Sequence, residues 1–157
     1  MTACIDTTLK RICLLIGCMA VETKTVKIKT KGELAMVDIT DEVSNVIKES
    51  RINDGIVSVF VPGSTAAVTT IEYEPGLLSD FPNMLERIAP KNITYEHEQM
   101  WHDGNGHSHV RASLVGPSLT VPFENKQLTL GTWQQIVLIE LDIRSRNRSL
   151  VVQVIGE

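Results

Sequence analysis

Apolar and polar side chains alternate with a period of two in several stretches of the chain. Over 22–30, valine and isoleucine alternate with lysines and threonines, and over 119–123 apolar residues occupy every second position. Successive side chains of a strand lie on opposite faces, so both stretches predict half-solvated strands. Further strands are predicted at 34–39, 56–62, about 68–71, 128–130, 132–143 and 149–156. We expect 34–39 to pair with the first strand and 149–156 to pair with 132–143.

Two segments instead repeat their apolar positions at helical spacing. Thr40 stands where an N-cap is expected, two acidic residues follow it, and a buried stripe continues to about Arg51. The second segment, 76–89, has a broad apolar face and is ended by Pro90. The chain therefore predicts two main helices.

About eight strands, two main helices and many hairpins favour an α+β domain over a doubly wound α/β domain. The strands IVSVFV and IVLIEL lack clean alternation, so they are expected to be covered on both faces. Two helices are few for that much sheet. Burial by partner subunits is one way to cover the remainder.

The chain has 157 residues and a net charge of -4. That length predicts one domain, at 21–157, with residues 1–20 as an N-terminal extension. The negative charge gives no overall attraction to phosphate backbones, so nucleic acid is not an expected partner. The apolar run in the extension is far too short to span a bilayer, and no membrane partner is expected.

Three cysteines, Cys4, Cys13 and Cys18, all fall in the extension. An odd count without CxxC spacing disfavours a disulfide framework and favours a reducing compartment, so we expect a cytoplasmic protein. The extension has a faint likeness to a signal peptide. Alternatively, Met19 is the natural start, because MAVETKTVKIKTKGE opens directly into the first strand pattern.

All four histidines fall in YEHEQMWHDGNGHSH, a segment interrupted by two glycines. Imidazoles and carboxylates so concentrated predict either a divalent-metal site or an acid–base cluster. If GHSH is extended, its two histidines point to one side; if it is helical, they diverge by about 200°. The alternative is a set of surface or core histidines satisfied by hydrogen bonds. The four are His97, His102, His107 and His109.

Other polar residues have a structural and a functional interpretation. Gly63, Ser64 and Thr65 form a small-residue loop where backbone could approach a ligand, or simply a tight turn. Asn105, between two glycines, is most simply a left-handed turn residue. Strand glutamates are usually solvent-facing, which is the expected position of Glu72, Glu74 and Glu140.

The stretches LGTWQQIVLIELD, SHVRASLVGPSLTVP and the terminal VIGE together resemble the YjbQ-like family, known for a secondary thiamine-phosphate synthase activity. The resemblance covers about 21–157, and the WHDGNGHSH version is similar to an archaeal-type branch. It implies an α+β fold with a mixed, largely antiparallel sheet wrapped around a helix. It also implies a compact homotrimer with sites near subunit boundaries.

By the same resemblance, His97 and His109, with Asn105 beside them, are the candidate catalytic groups. Many members carry a His-Thr-Ser or His-Thr-Thr triplet in the small-residue loop, where this chain has Gly63 first. One of the extra histidines could replace the missing ring. The implied phosphate-binding residues are Ser64, Thr65 and Gln134, and the implied metal ligands are His97, His109, His107 and His102.

These observations predict a metal-assisted enzyme of the thiamine-phosphate synthase type, acting on a small phosphorylated substrate. Zinc or magnesium would neutralise the leaving pyrophosphate. The alternative is a non-catalytic trimeric protein that binds a metal ion or a small anion in the same pocket. Nucleic-acid binding through the basic connector 144–148 is less favoured, because no aromatic platform accompanies its arginines.

Overall fold

The computed structural model describes residues 19–157. The predictions for the cysteines and for the extension before Met19 lie outside the described residues. Within 19–157, no helix is long and apolar enough to cross a membrane.

Eight strands and four helices follow one another along this part of the chain. The strands are β1 (Ala20–Lys29), β2 (Ala35–Asp38), β3 (Gly55–Phe60), β4 (Ala66–Ile71), β5 (Ser118–Glu124), β6 (Gln127–Leu128), β7 (Gln135–Glu140) and β8 (Asn147–Gly156). The helices are α1 (Thr40–Glu49), α2 (Pro75–Ile88), α3 (His97–Trp101) and α4 (Gly106–Val115).

The strands form two sheets in which every pair is antiparallel. The larger sheet has the order β1-β8-β3-β5-β6 and the smaller has β2-β7-β4. Helix α1 contacts β6 and β8 of the larger sheet and β7 of the smaller one. Its buried stripe of Val43, Val46 and Ile47 joins the main core that both sheets share. The predicted α+β fold, with antiparallel sheet around a helix, is confirmed.

Strand β7 is buried on both faces, as its unbroken apolar run predicts. Ile136 and Leu138 join the main core, whereas Val137 and Ile139 face a second core. That second core receives two residues of α2 and two of α4, so both helices are anchored to the back of the smaller sheet. The equivalent prediction for β3 is wrong within this chain, because Ile56 and Phe60 are about two-fifths exposed.

Both predicted pairings of the sheet's outer strands are wrong. β2 pairs with β7 rather than β1, and β8 lies between β1 and β3 rather than beside β7. β1 and β8 are each ten residues long and pair over their whole length, from Ala20 opposite Gly156 to Lys29 opposite Asn147. The connector after β7 therefore crosses from the smaller sheet to the larger one instead of turning a hairpin.

The two predicted helices are present with small shifts of their ends, and the histidine segment adds two more. Thr40 is the first residue of α1, and its backbone N–H and hydroxyl both donate to Oδ1 of Asp38. Glu74 caps α2 by accepting from the backbone N–H groups of Gly76 and Leu77. Helix α4 is ten residues long, longer than the short turn that the sequence predicted.

Candidate functional site

The histidine segment is two helices joined by a tight loop that Glu98 holds in place. One carboxylate oxygen of Glu98 accepts from the backbone N–H of Gly104 at 2.7 Å, and the other accepts from Gly106 at 2.8 Å. These two N–H groups lower the pKa of Glu98 below its ordinary value. Gly106 packs so closely on Tyr95 that an added Cβ would lie 2.5 Å from the tyrosine Cβ. The loop therefore packs the first residue of α4 against Tyr95, which precedes α3.

This loop brings His97 and His109 together. Their ring centroids lie 4.3 Å apart with the planes tilted by 42°. Nε2 of His97 is buried without a hydrogen-bond partner among the described residues, and it lies 3.7 Å from Oδ1 of Asp103. The segment GHSH lies within α4, so the helical alternative applies and its two histidines diverge around the helix.

The environment of His109 favours its neutral form. Burial, followed by the positive charge that His97 can carry, lowers the pKa of His109 below its ordinary value of 6.5. The carboxylates of Asp103, Asp142 and Glu98 oppose that shift without cancelling it. At neutral pH the ring of His109 thus has a free nitrogen lone pair, which can accept a proton or bind a metal ion.

Besides Nε2 of His97, three buried side-chain atoms lack hydrogen-bond partners among residues 19–157. They are Oδ1 of Asn105, Oγ of Ser108 and Nη1 of Arg111. Asn105 precedes α4 with φ of -118°, so the prediction of a left-handed turn residue is wrong, and its side chain does not cap the helix. Because buried polar groups are normally paired, the unpartnered atoms of His97 and Asn105 make the start of α4 a candidate position for a ligand.

His107 lies on the opposite side of α4, because two residues advance a helix by about 200°. It is 1% exposed, and its Nε2 lies 2.9 Å from Oε1 of Glu33. Arg111, one turn along, is fully buried and donates to the carbonyl of Ala89 and to the carboxylate of Glu86. His107 therefore belongs to a charged cluster that ties α4 to the β1–β2 turn and to the end of α2.

His102 ends α3 in a left-handed conformation, with φ of 51°, and is exposed. Within residues 19–157, no group of three or more His, Cys, Asp or Glu side chains is arranged to hold a metal ion. The structure brings together two of the four predicted metal ligands, His97 and His109. The four-histidine ligand set stays a prediction.

The small-residue loop lies beside α4, next to the histidine pair. Ser64 is exposed and lines a cleft of about 100 Å³ together with Ser113, whose side chain also borders His109. Thr65 is buried, and its hydroxyl donates to Oδ2 of Asp142 at 3.2 Å while accepting from Arg148 at 3.0 Å. Of the two predicted phosphate-binding hydroxyls, only that of Ser64 is available to a ligand in this conformation.

Gln134 lies in a different cleft, between β4 and β5. Its amide nitrogen donates to the hydroxyl of Thr70, and its carbonyl accepts from the backbone of Gly131. The cleft has a volume of about 290 Å³ and its polar lining consists mainly of threonine and serine hydroxyls. This cleft shares no lining residue with the clefts that border His109 and Ser64.

The prediction that Glu140 faces solvent is wrong. Glu140 is fully buried, and its two oxygens accept from Nε and Nη2 of Arg148. Nε and Nη2 of Arg146 both donate to a single oxygen of Asp142, Oδ2. These arginines are therefore ion-pair partners rather than a free basic connector. The signal for this pairing in the sequence is the alternation of acids and arginines in ELDIRSRNR. Glu72 is exposed as predicted.

Comparison with known proteins identifies the family of this chain. The profile of the UPF0047 protein YjbQ-like family matches residues 24–157 of this chain. The chain belongs to the YjbQ-like family. The match spans every described strand and helix after the first residues of β1, so the histidine pair and the small-residue loop both lie within the YjbQ-like domain.

Relatives and solved structures agree with this assignment. A UPF0047 protein of Methanothermobacter thermautotrophicus is 42% identical over 88% of this chain and 95% of its own. The UPF0047 protein YugU of Bacillus subtilis is 36% identical over 85% of this chain and 98% of its own. The crystal structure of a YjbQ-like protein of unknown function from Sulfolobus solfataricus has a TM-score of 0.83 and 34% identity, covering 89% of this chain and all of that one.

Proposed function

We propose that this YjbQ-like protein is a transferase of the thiamine-phosphate synthase type. The ring nitrogen of a thiazole phosphate would form a bond to the methylene carbon of a pyrimidine diphosphate, while the carbon–oxygen bond to pyrophosphate breaks. The observation that carries the proposal is the 4.3 Å approach of the His97 and His109 rings at an unpaired polar cluster. Departing pyrophosphate gains charge in this reaction, and stabilising that charge is the main task of the protein.

A divalent ion bound at the pair would supply the charge that pyrophosphate needs as it leaves. The donor chemistry fits this role, because the unpartnered Nε2 of His97 and the neutral ring of His109 are nitrogen ligands, which suit zinc better than magnesium. Asp103 is the nearest carboxylate that could complete the site. The N–H groups of the same imidazoles and the amide of Asn105 can orient the oxygens of the leaving group.

The test is formation of thiamine phosphate by the purified protein with zinc or magnesium added. We expect His109→Ala to lower kcat by about 100-fold or more, the usual range for a positioned acid–base or charge-stabilising group. Gln99→Ala, at an exposed position of α3 close to His97 in the sequence, is the matched control and should retain turnover. Absence of thiamine phosphate with every metal, or full activity of His109→Ala, overturns the assignment.

A second candidate is non-catalytic binding of a metal ion or small anion. The unpaired Oδ1 of Asn105 and Nε2 of His97 favour a metal ion, because both atoms can offer a lone pair whether or not a reaction follows. It predicts ligand-dependent stabilisation without turnover, seen as a rise of Tm with zinc. Elemental analysis of the purified protein, run beside the turnover assay, separates the two candidates.

The homotrimer and the cytoplasmic location are further parts of this proposal. Val110 and Leu114 lie one turn apart on α4, are 40% and 59% exposed, and flank His109. Covering them with a second copy would complete the wall of the site. Sedimentation analysis should give three copies, and Leu114→Asp should yield a smaller species.

A further inference from the structure

A cleft opens where the smaller sheet approaches the larger one, between the outer edges of β4 and β5. It has a volume of about 290 Å³, and none of its lining residues within 19–157 is charged. Its buried lining residues, Val68 and Val121, belong to the main core, against which Leu119 and Leu130 also pack. The volume lies at the lower limit for ligand pockets, so the cleft suits a molecule of about one ring.

The pairing of β4 with β7 determines which peptide groups of β4 face the cleft. Residues of an antiparallel strand alternately bond to the partner strand and direct both peptide groups away from it. The N–H of Leu141 donates to the carbonyl of Thr65, and this bond continues the register of the two strands. Thr70 is out of phase with Thr65, so its N–H and C=O are directed away from β7. Val68 has the same phase as Thr70, and its N–H donates outward to the carbonyl of Gly116.

The same alternation determines the groups that β5 directs toward the cleft. The N–H of Val61 donates to the carbonyl of Pro117, which continues the register of β3 and β5. Thr120 is out of phase with Pro117, so its N–H and C=O are directed away from β3. Pro122 has the same phase as Thr120, and its carbonyl accepts outward from the N–H of Thr129.

Two pairs of backbone groups are left at the edges of the cleft. The N–H and C=O of Thr70 and of Thr120 have no hydrogen-bond partner among the described residues. Free strand edges bind whatever can complete their hydrogen bonds. The outward bonds of Val68 and Pro122 limit these free edges to one or two residues each, which is too short for pairing with an added strand. A small molecule is the better fit.

The chemistry of the edges indicates the class of ligand. One extended residue presents its N–H and C=O side by side, so a matching ligand carries an acceptor next to a donor. An amino group beside a ring nitrogen supplies this pair, as N6 and N7 of adenine do. An anion is disfavoured, because no cation lines the cleft and the amide of Gln134 is already bonded to Thr70 and Gly131.

We propose that the cleft between β4 and β5 binds an uncharged heterocycle of the aminopyrimidine class through the outward peptide groups of Thr70 and Thr120. The ring would lie over Val68 and Val121. Its amino group and the neighbouring ring nitrogen would pair with one strand edge, leaving the second ring nitrogen for the N–H across the cleft. The inference goes beyond the proposed function, because it requires neither the histidine pair nor turnover.

The experiment is an NMR titration of the full chain with 4-aminopyrimidine at pH 7, where this probe is mainly uncharged. We expect the amide resonances of Thr70 and Thr120 to shift and saturate, with a Kd of about 1 mM, as is reasonable for a ligand of so few atoms. Pyrimidine, which lacks the amino donor, is the matched control and should bind at least tenfold more weakly. Equal affinity for the two probes, or no saturable shift at either amide, overturns the proposal.

A proline variant removes one of the proposed donors. Proline is tolerated where a strand residue directs its N–H away from the sheet, and Pro122 already occupies such a position of β5. Thr120→Pro should therefore fold and should raise the Kd for 4-aminopyrimidine at least tenfold. Wild-type affinity in this variant contradicts the proposal.

Thr25→Pro is the matched control for the proline substitution. The N–H of Thr30 donates to the carbonyl of Arg146, which continues the register of β1 and β8, so Thr25 directs its N–H away from β8 at the edge of the larger sheet. This variant should keep the wild-type affinity, and thermal denaturation checks that both variants fold. If Thr120→Pro does not fold, the two-probe titration of the unaltered chain still decides the proposal.

Discussion

His107 and His109 are two residues apart on α4, yet they belong to two regions with opposite properties. His107 is buried and bonded to Glu33, in a cluster where Arg111, Glu86 and Lys91 also pair. His109 is partly exposed, and its ring lies 4.3 Å from that of His97, whose Nε2 has no hydrogen-bond partner among residues 19–157. One turn of helix thus presents a buried, hydrogen-bonded imidazole on one side and, on the other, a partly exposed imidazole without a hydrogen bond among the described residues.

Replacing Arg111, the buried arginine of the cluster around His107, is expected to change stability most. Arg111→Met would leave Glu33 and Glu86 without their shared partner, so we expect the free energy of unfolding to fall by about 3 kcal/mol. Urea denaturation measures this loss of unfolding free energy. Arg87→Ala, an exposed arginine of α2, is the control and should change stability by less than about 0.5 kcal/mol. Equal effects of both variants would mean that the cluster does not hold α4 in place.

The two histidines themselves should separate stability from activity. His107→Ala removes a buried hydrogen bond to a charged group and should cost about 2 kcal/mol of unfolding free energy. His109→Ala should cost less than about 0.5 kcal/mol, because its ring makes no hydrogen bond among the described residues. Denaturation of both variants in parallel is the measurement. If His109→Ala is the more destabilising of the two, the division between the regions is wrong.

The two regions should also respond to different pH ranges. The pKa of His109 is lowered from 6.5, so the unfolded chain binds more protons and stability decreases as the pH falls below that value. Burial alone would raise the pKa of Glu33, but hydrogen bonds from Lys91 and His107 lower it below 4.5. Its contribution is complete above pH 4.5 and is lost as the pH falls through the lowered value.

Urea denaturation from pH 3 to 8 resolves these two ranges. His109→Asn should flatten the dependence near pH 6 and leave the acid limb, whereas Glu33→Gln should reduce the acid limb alone. If the stability of His109→Asn still changes with pH near pH 6, another group is responsible for that pH range.

His102 should show the smallest effect. It is exposed in a left-handed conformation that asparagine tolerates well, so His102→Asn should change stability by less than about 0.5 kcal/mol. Thermal denaturation is sufficient to measure it. A larger loss would reveal a contact of His102 that the exposed position does not suggest.

Much of the fold could be predicted because the signals were local. The alternation in β1 and β5 and the apolar stripe of α1 each lie within one segment, and β7 showed its double burial by its unbroken apolar run. The pairing of β2 with β7, and of β8 with β1 and β3, depends on how the connector after β7 crosses between sheets. Nothing in the composition of the connector determines that path.

The site could be predicted in part for the same reason. His97 and His109 were ranked first by family resemblance, and the structure brings them together. The spacing of GHSH could not decide between strand and helix, because the flanking glycines favour a loop while α4 starts at the second of them. The pairing of Glu140 with Arg148 was missed because it forms only once β7 and β8 are in place.

The most direct test follows the four imidazoles by NMR while zinc, and then magnesium pyrophosphate, is added. The resonances of His97 and His109 should shift together and saturate at one equivalent of zinc, and that of His107 should stay at its starting position. A shift of His107 with no change at His97 and His109 would contradict the assignment of the reactive pair.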